Sequence, residues 1–249
     1  MASSERKRLG FFKFTCCSGC GFELLYFQPF LRELLEQFEL VFFRLASSGG
    51  SPRGPFDIVL VEGAVTEPWQ LRELRALRQR TAQLYAVGSC AVLGGISALK
   101  ALAPELQVQR QVYPRTHRRL SSLRPQPLRA YVALEGELRG CPPQPEGLAE
   151  VLLGVLLGRR PSLPSHSVCL ECKMGGNVCL LQERSEPCLG PVVNAGCGAL
   201  CPSANRACYG CFGFMPGANL EALKERFRQM GLPEEEIKRR FSLFEALRA

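Results

Sequence analysis

Histidine and tryptophan are nearly missing from this 249-residue sequence, which has two of the first and one of the second. Long apolar runs are missing too. The longest, Leu148 to Leu157, already holds Glu150 and is far shorter than the ~20 residues a membrane helix needs, so no membrane span is expected. Basic residues do not alternate with aromatics in any run, the pattern of a nucleic-acid groove. No nucleic-acid partner is therefore expected, although the formal charge is +8. Arg6-Lys7-Arg8 ahead of Leu9 to Phe14 has a superficial likeness to a twin-arginine export signal. No apolar h-region or small-residue cleavage site follows it, and a cytoplasmic location is the expectation.

What the chain has in excess is cysteine: thirteen residues. A cytosolic chain keeps thiols reduced, which makes metal binding the default reading over disulfides. Each [4Fe-4S] core with four thiolates carries about −2, so three of them would bring the net charge near +2.

The pattern along the chain alternates strands with helices. Leu9 to Phe14 reads as a buried strand, ending in the turn Thr15-Cys16-Cys17-Ser18-Gly19-Cys20. Leu24, Phe27, Leu31, Leu34, Leu35 and Phe38 recur at helical spacing, with Pro29 kinking that helix or marking where its main part starts. Leu40 to Leu45, Phe56 to Glu62, Ala82 to Val87 and Ala130 to Leu134 read as further strands, and Pro68 opens a helix with Leu71, Leu74 and Leu77 on its core side. Ala101 to Arg129 looks like a long Arg-, Pro- and Ser-rich excursion, and Leu148 to Leu157 like a helix. Such alternation predicts an α/β fold with a doubly wound parallel sheet. Its sites lie beyond the carboxyl ends of the strands, where Cys17, Cys20 and Cys90 all fall. A linker, Arg159 to Ser167, sets the expected boundary between a domain over 1–160 and a small irregular domain over 161–249. Asn219 to Met230 and Pro233 to Leu247 read as two closing amphipathic helices.

The C-terminal cysteines divide into Cys169-x2-Cys172-x6-Cys179-x8-Cys188 and Cys197-x3-Cys201-x6-Cys208-x2-Cys211. Four thiolates per group suit a four-iron cubane, whose irons each need one outer ligand. Zinc uses the same pair spacing, and a zinc-stabilised interaction protein is the rival reading. Cys17, Cys20, Cys90 and Cys141 form a third group if the sheet is right. A thioredoxin-like redox pair at Cys17 and Cys20 would leave the other two unexplained. Cys16 is the spare cysteine, or a substitute for Cys17 or Cys20. His166 reads as a linker residue, His117 as solvated, and Trp69 as packing or interface.

Thr15-Cys16-Cys17-Ser18-Gly19-Cys20, Val61-Glu62-Gly63, Gly88-Ser89-Cys90-Ala91 and Gly140-Cys141-Pro142-Pro143 together resemble small subunits of [NiFe] hydrogenases. The run CLECKMGGNVCL and the run PCLGPVVNAGCGALCPSANRACYGCFG are similar to the cytoplasmic, bidirectional group of that family. The resemblance covers roughly residues 9 to 215. It implies a flavodoxin-like domain holding a proximal cluster on Cys17, Cys20, Cys90 and Cys141. It further implies a medial cluster on Cys197, Cys201, Cys208 and Cys211, and a distal one on Cys169, Cys172, Cys179 and Cys188. Exported relatives commonly place a histidine where Cys169 stands and carry a medial three-iron cluster, so full sets of four imply three [4Fe-4S] clusters here. The implied partners are a large subunit that cleaves hydrogen, a flavin- and NAD(P)-binding diaphorase and a further iron–sulfur subunit; a heterodisulfide reductase is the alternative electron exit. No catalytic residue is expected in this chain, because it lacks the nickel-binding CxxC pairs of the large subunit. Glu23 and Glu62 are expected beside the proximal cluster in capping or partner contacts. Tandem Cys16-Cys17 also resembles the quinone-linked subunit of respiratory complex I, which lacks the eight-cysteine C-terminal part.

Overall fold

The computed structural model describes residues 6–26, 29, 33, 36–115 and 122–248. Among them, five strands form one sheet: β1 (Lys7–Lys13), β2 (Phe38–Phe43), β3 (Phe56–Glu62), β4 (Thr81–Val87) and β5 (Gly136–Leu138). Every neighbouring pair is parallel, and the order is β2-β1-β3-β4-β5. That is the flavodoxin-like order, in which the winding reverses between β1 and β3.

The strand sequences suit burial on both faces. Ile58, Val59, Leu60 and Val61 of β3 are all fully enclosed, the composition of a central parallel strand. Successive side chains point to opposite sides. Phe12, Val59, Val61 and Leu84 pack with Leu74 and Leu77 of helix Pro68–Gln79. Leu9, Phe11, Ile58 and Leu60 pack with Leu148, Val151 and Leu152 of helix Pro145–Leu156. Gln70 Oε1 secures the start of helix Pro68–Gln79 by accepting from the backbone N–H groups of Thr66 at 2.7 Å and Glu67 at 3.0 Å.

The C-terminal part has a third apolar cluster, drawn entirely from residues 168–241. Val168, Leu189, Val193, Phe212 and Phe214 meet Leu223, Phe227, Ile237 and Phe241 there. The last four come from helices Leu220–Gln229 and Glu234–Ser242. Asn219 caps the first of these by accepting from Ala222 N–H at 3.0 Å, and Pro233 sits at the N-cap of the second.

Two expectations need correction. The fifth strand is Gly136–Leu138, not Ala130 to Leu134. Residues 128–130 are a 3-10 turn instead, and Val132 and Leu134 pack as loop side chains against the core. Polar anchors hold that loop off the sheet: Arg129 pairs with Glu137 at 2.8 Å and donates to Val92 O at 2.9 Å. Pairing with β4 begins only where Glu135 N–H reaches Leu84 O at 3.0 Å. Phe38 is not a helical residue either; it opens β2 and is buried in the sheet core. The predicted core positions Phe27, Leu31, Leu34 and Leu35 lie outside the described residues, as does His117, while Pro29 is helical. In its described part the long excursion holds regular structure, with a 3-10 stretch over Gly95–Leu102 and a helix over Glu105–Val112.

Candidate functional site

The first set of cysteines is assembled by the carboxyl ends of three strands. Cys17 and Cys20 follow β1, with Cys20 in the first turn of helix Gly19–Tyr26. Cys90 lies in the first turn of helix Gly88–Leu93, directly after β4, and Cys141 comes three residues after β5. The chain leaving β1 stays fastened to the chain leaving β3: Thr15 and Ala64 exchange backbone hydrogen bonds of 3.1 and 2.9 Å. Ser89 N–H donates to Gly140 O at 2.8 Å, which draws the Cys90 and Cys141 turns together.

The thiols feel one another electrostatically. Burial pushes the Cys20 thiol up, and Glu62, Cys90 and Cys141 push it further. Cys90 rises to about 11, through burial first and then through Cys141 and Cys17. Burial and Cys17 raise Cys141. Without a cation these sulfurs hold their protons, so loading metal must release them.

Gly88 makes this convergence sterically feasible. Its φ is +83°, and a Cβ there would stand 2.3 Å from the Cys20 sulfur. Alanine would add left-handed backbone strain of about 1–2 kcal/mol to that clash. Gly88→Ala is therefore expected to leave the sheet folded but to displace Cys20. Circular dichroism should be preserved while the alkylation rate of the Cys20 thiol changes; an unaltered rate would refute the close approach.

Cys16 lies at the margin of this set, where it feels Cys90 and is felt by Cys20. The Cys16 sulfur lies 3.7 Å from Phe14 O, to which it donates. Burial first, then Glu62, pushes its thiol up to about 12. Glu62 is fully buried and accepts from Gly21 N–H at 3.2 Å. Burial raises its pKa, while the Gly21 N–H and then the positive charge of Lys13 oppose the rise. The predicted neighbourhood of Glu62 is thus present, whereas Glu23 has no hydrogen bond or ion pair among the described residues.

The remaining eight cysteines are carried by loops and very short helices. Cys169, Cys172, Cys179 and Cys188 line one small cavity of about 40 Å³, together with Val178 and Pro202 among others. Burial lifts Cys169 to about 11, with Cys188, Cys172 and Cys179 adding to it. In the other group, Cys211 rises to about 12, through burial first and then through Cys197, with Cys201 also contributing. Cys208 is pushed up by burial, with Cys188, Cys211 and Cys197 adding to it. All thirteen cysteines are free of disulfides.

Contacts between groups define their spatial order. The Cys211 thiol feels Cys141 electrostatically, and the Ser89 hydroxyl donates to the Cys211 carbonyl. On the other side, Cys208 N–H donates to the Cys188 sulfur at 3.2 Å. The group of Cys197, Cys201, Cys208 and Cys211 therefore lies between the other two.

Sequence reasoning missed Ser89, Arg139 and Glu171. Arg139 reaches the carbonyls of Phe212 and Phe214, both at 3.4 Å, and burial lowers its pKa. Such long-range links leave no periodic trace. Only the position of Glu171 inside a CxxC pair could have marked it. His166 is exposed, as a linker residue should be, and its carbonyl accepts from Ala195 N–H at 2.8 Å.

Comparison with known proteins places the chain. The family described as NADH ubiquinone oxidoreductase, 20 kDa subunit, matches residues 17–155. Sulfhydrogenase 2 subunit delta of Pyrococcus furiosus is 35% identical over 95% of this chain and 98% of its own length. A vhu subunit of the F420-non-reducing hydrogenase of Methanocaldococcus jannaschii is 29% identical over 83% of this chain and 81% of its own. Among solved structures, an NAD+-reducing [NiFe]-hydrogenase in the H2-reduced state is similar with a TM-score of 0.56 at 28% identity, over 64% of this chain and 96% of that one. The actinobacterial-type NiFe-hydrogenase from Ralstonia eutropha H16 shares the fold, with a TM-score of 0.60 at 15% identity over 92% of each chain. With the sheet order, the cysteine turns at its carboxyl edge and these matches in agreement, the chain belongs to the NADH ubiquinone oxidoreductase 20 kDa subunit family and is, within it, a [NiFe] hydrogenase small subunit.

Proposed function

We propose that this chain is the electron relay of its hydrogenase, holding three [4Fe-4S] clusters in line. The observation that carries the proposal is that the group of Cys197, Cys201, Cys208 and Cys211 touches both of the other groups of four cysteines. Cys17, Cys20, Cys90 and Cys141 would hold the proximal cluster, Cys197, Cys201, Cys208 and Cys211 the medial one, and Cys169, Cys172, Cys179 and Cys188 the distal one. When bound, such clusters supply one-electron storage and transfer between the partner's nickel–iron centre and an outside acceptor.

The donor chemistry fits. Each group offers four thiols and no competing imidazole. Burial of Cys188 and Cys208 excludes water and raises the local strength of every charge. The two domains, 1–160 and 161–249, would divide the work: the sheet presents the proximal set, and the cysteine-rich part carries the other two.

The large subunit would dock on the carboxyl edge of the sheet. Phe22, Tyr26 and Trp69 are 44%, 78% and 54% exposed there, aromatic side chains of the kind that anchor interfaces. At the far end, the acceptor would be a flavin- and NAD(P)-binding partner with a further iron–sulfur subunit, in the cytoplasm. A heterodisulfide reductase could draw on the same twelve sulfurs, and the proteins that co-purify with the complex distinguish the two.

Metal and sulfide analysis of the purified complex tests the core of the proposal. This chain should account for about twelve iron and twelve inorganic sulfide. Zinc without sulfide would reject it.

A further inference from the structure

Glu171 lies between Cys169 and Cys172 on helix Val168–Met174, yet its carboxylate serves a different set of cysteines. Oε1 accepts from Gly196 N–H at 2.8 Å, and Oε2 accepts from Ala199 N–H at 3.2 Å. Between these two donors sits Cys197, whose sulfur is 3.9 Å from Oε2. The loop is wound around the carboxylate: φ is +121° at Gly196, +62° at Gly198 and +53° at Ala199. Left-handed backbone at a residue with a side chain costs energy. Successive N–H groups in such a conformation form a cradle for an anion, and here the anion is a side chain of the chain itself.

Two physical consequences follow. The carboxylate locks Cys197 against the helix that bears Cys169 and Cys172, setting the spacing between two cysteine groups. It also places a negative charge beside one ligand sulfur and engages two N–H donors in the loop that carries that sulfur. Net charge and hydrogen bonds to sulfur are what set a cluster's potential. A nearby anion disfavours the more negative, reduced state.

We propose that Glu171 is a positioning residue for Cys197 and holds down the reduction potential of the cluster bound by Cys197, Cys201, Cys208 and Cys211. The proposal rests on the cluster assignment given above. It makes the helix of the distal set a control element for the medial one.

The test is Glu171→Gln in the complete complex with its partner subunits, followed by redox titration monitored by electron paramagnetic resonance. Cys201→Ser identifies which signal belongs to the medial set. That signal should move to higher potential by about tenfold in its one-electron equilibrium, or 59 mV, with the other two unmoved. Selective loss of that signal, with about four fewer iron atoms per chain, would support the positioning role. If the Gln variant does not assemble, Glu171→Asp keeps the charge but shortens its reach, and a smaller shift of the same sign is expected. An unchanged medial potential in a fully loaded variant, or a shift confined to the distal signal, would overturn the proposal. Absence of iron–sulfur clusters from the unaltered complex would instead remove the cluster assignment itself.

Discussion

Replacing Cys90 with alanine should abolish hydrogen-dependent dye reduction by the complex while leaving the sheet intact. Cys90 sits in the first turn of a helix whose other residues, Ser89, Ala91, Val92 and Leu93, are buried in or against the sheet core. Cysteine to alanine removes only a sulfur from that turn, so the backbone has little reason to move. The electrostatic consequence is larger. Cys90 couples to Cys141, Cys17 and Cys20, so its loss takes one of four ligands from the set nearest the proposed large-subunit surface. A cubane with a missing corner ligand is labile, and the neighbouring spare thiol, Cys16, is engaged with Phe14 O. Activity should fall below detection, with a deficit of about four iron per chain. Retention of full hydrogen-dependent activity would eliminate the proximal assignment. Hydrogen/deuterium exchange by the large subunit separates a relay defect from a damaged catalytic centre, since exchange needs no electron exit.

Removing iron should affect the two halves of the chain unequally. Residues 7–155 contain all five strands and two apolar clusters that use no C-terminal side chain apart from Leu163 at the margin of one. Beyond them, the cysteine region holds helices of only seven, four and four residues, Val168–Met174, Leu180–Glu183 and Leu200–Ser203. Buried apolar residues in this region alternate with the cysteines themselves: Cys188 precedes Leu189, and Cys211 precedes Phe212. Where ligands and core residues share the same loop, metal-binding free energy is folding free energy. Iron chelation under reducing conditions should therefore expose residues 175–210 to limited proteolysis while the sheet remains protected. The helices Leu220–Gln229 and Glu234–Ser242 should loosen as well, because Phe241 packs against Phe214, and Phe227 against Phe241, in that same cluster. Equal protection of both halves after iron loss would refute the dependence.

Much of the sheet was legible because its signals are local. Phe56 to Glu62 is a run of β-branched and aromatic residues that ends at a glycine, and it is β3 residue for residue. Pro68 marks its helix because a proline at the first turn loses no hydrogen bond. Ala130 to Leu134 misled because an apolar run fits a strand and a packed loop equally well. The choice was made by Arg129 and Glu135, whose partners Glu137 and Arg78 lie elsewhere in the chain. Phe38 misled for a related reason: it continues a helical spacing, yet pairing with Lys7 of β1 places it in a strand.

The linear sequence determined which sulfurs exist, how they are spaced, and that short spacings bring neighbours such as Cys169 and Cys172 together. It determined the strand-and-helix alternation as well, because hydrophobic periodicity is written residue by residue. Tertiary structure alone decided that Ser89 reaches the Cys211 carbonyl, that Cys208 lies against Cys188, and that Glu171 grips the loop of Cys197. Each of these joins residues at least 20 positions apart. Contacts of that range depend on how turns and packed faces fold back on one another, a property that no window along the chain contains.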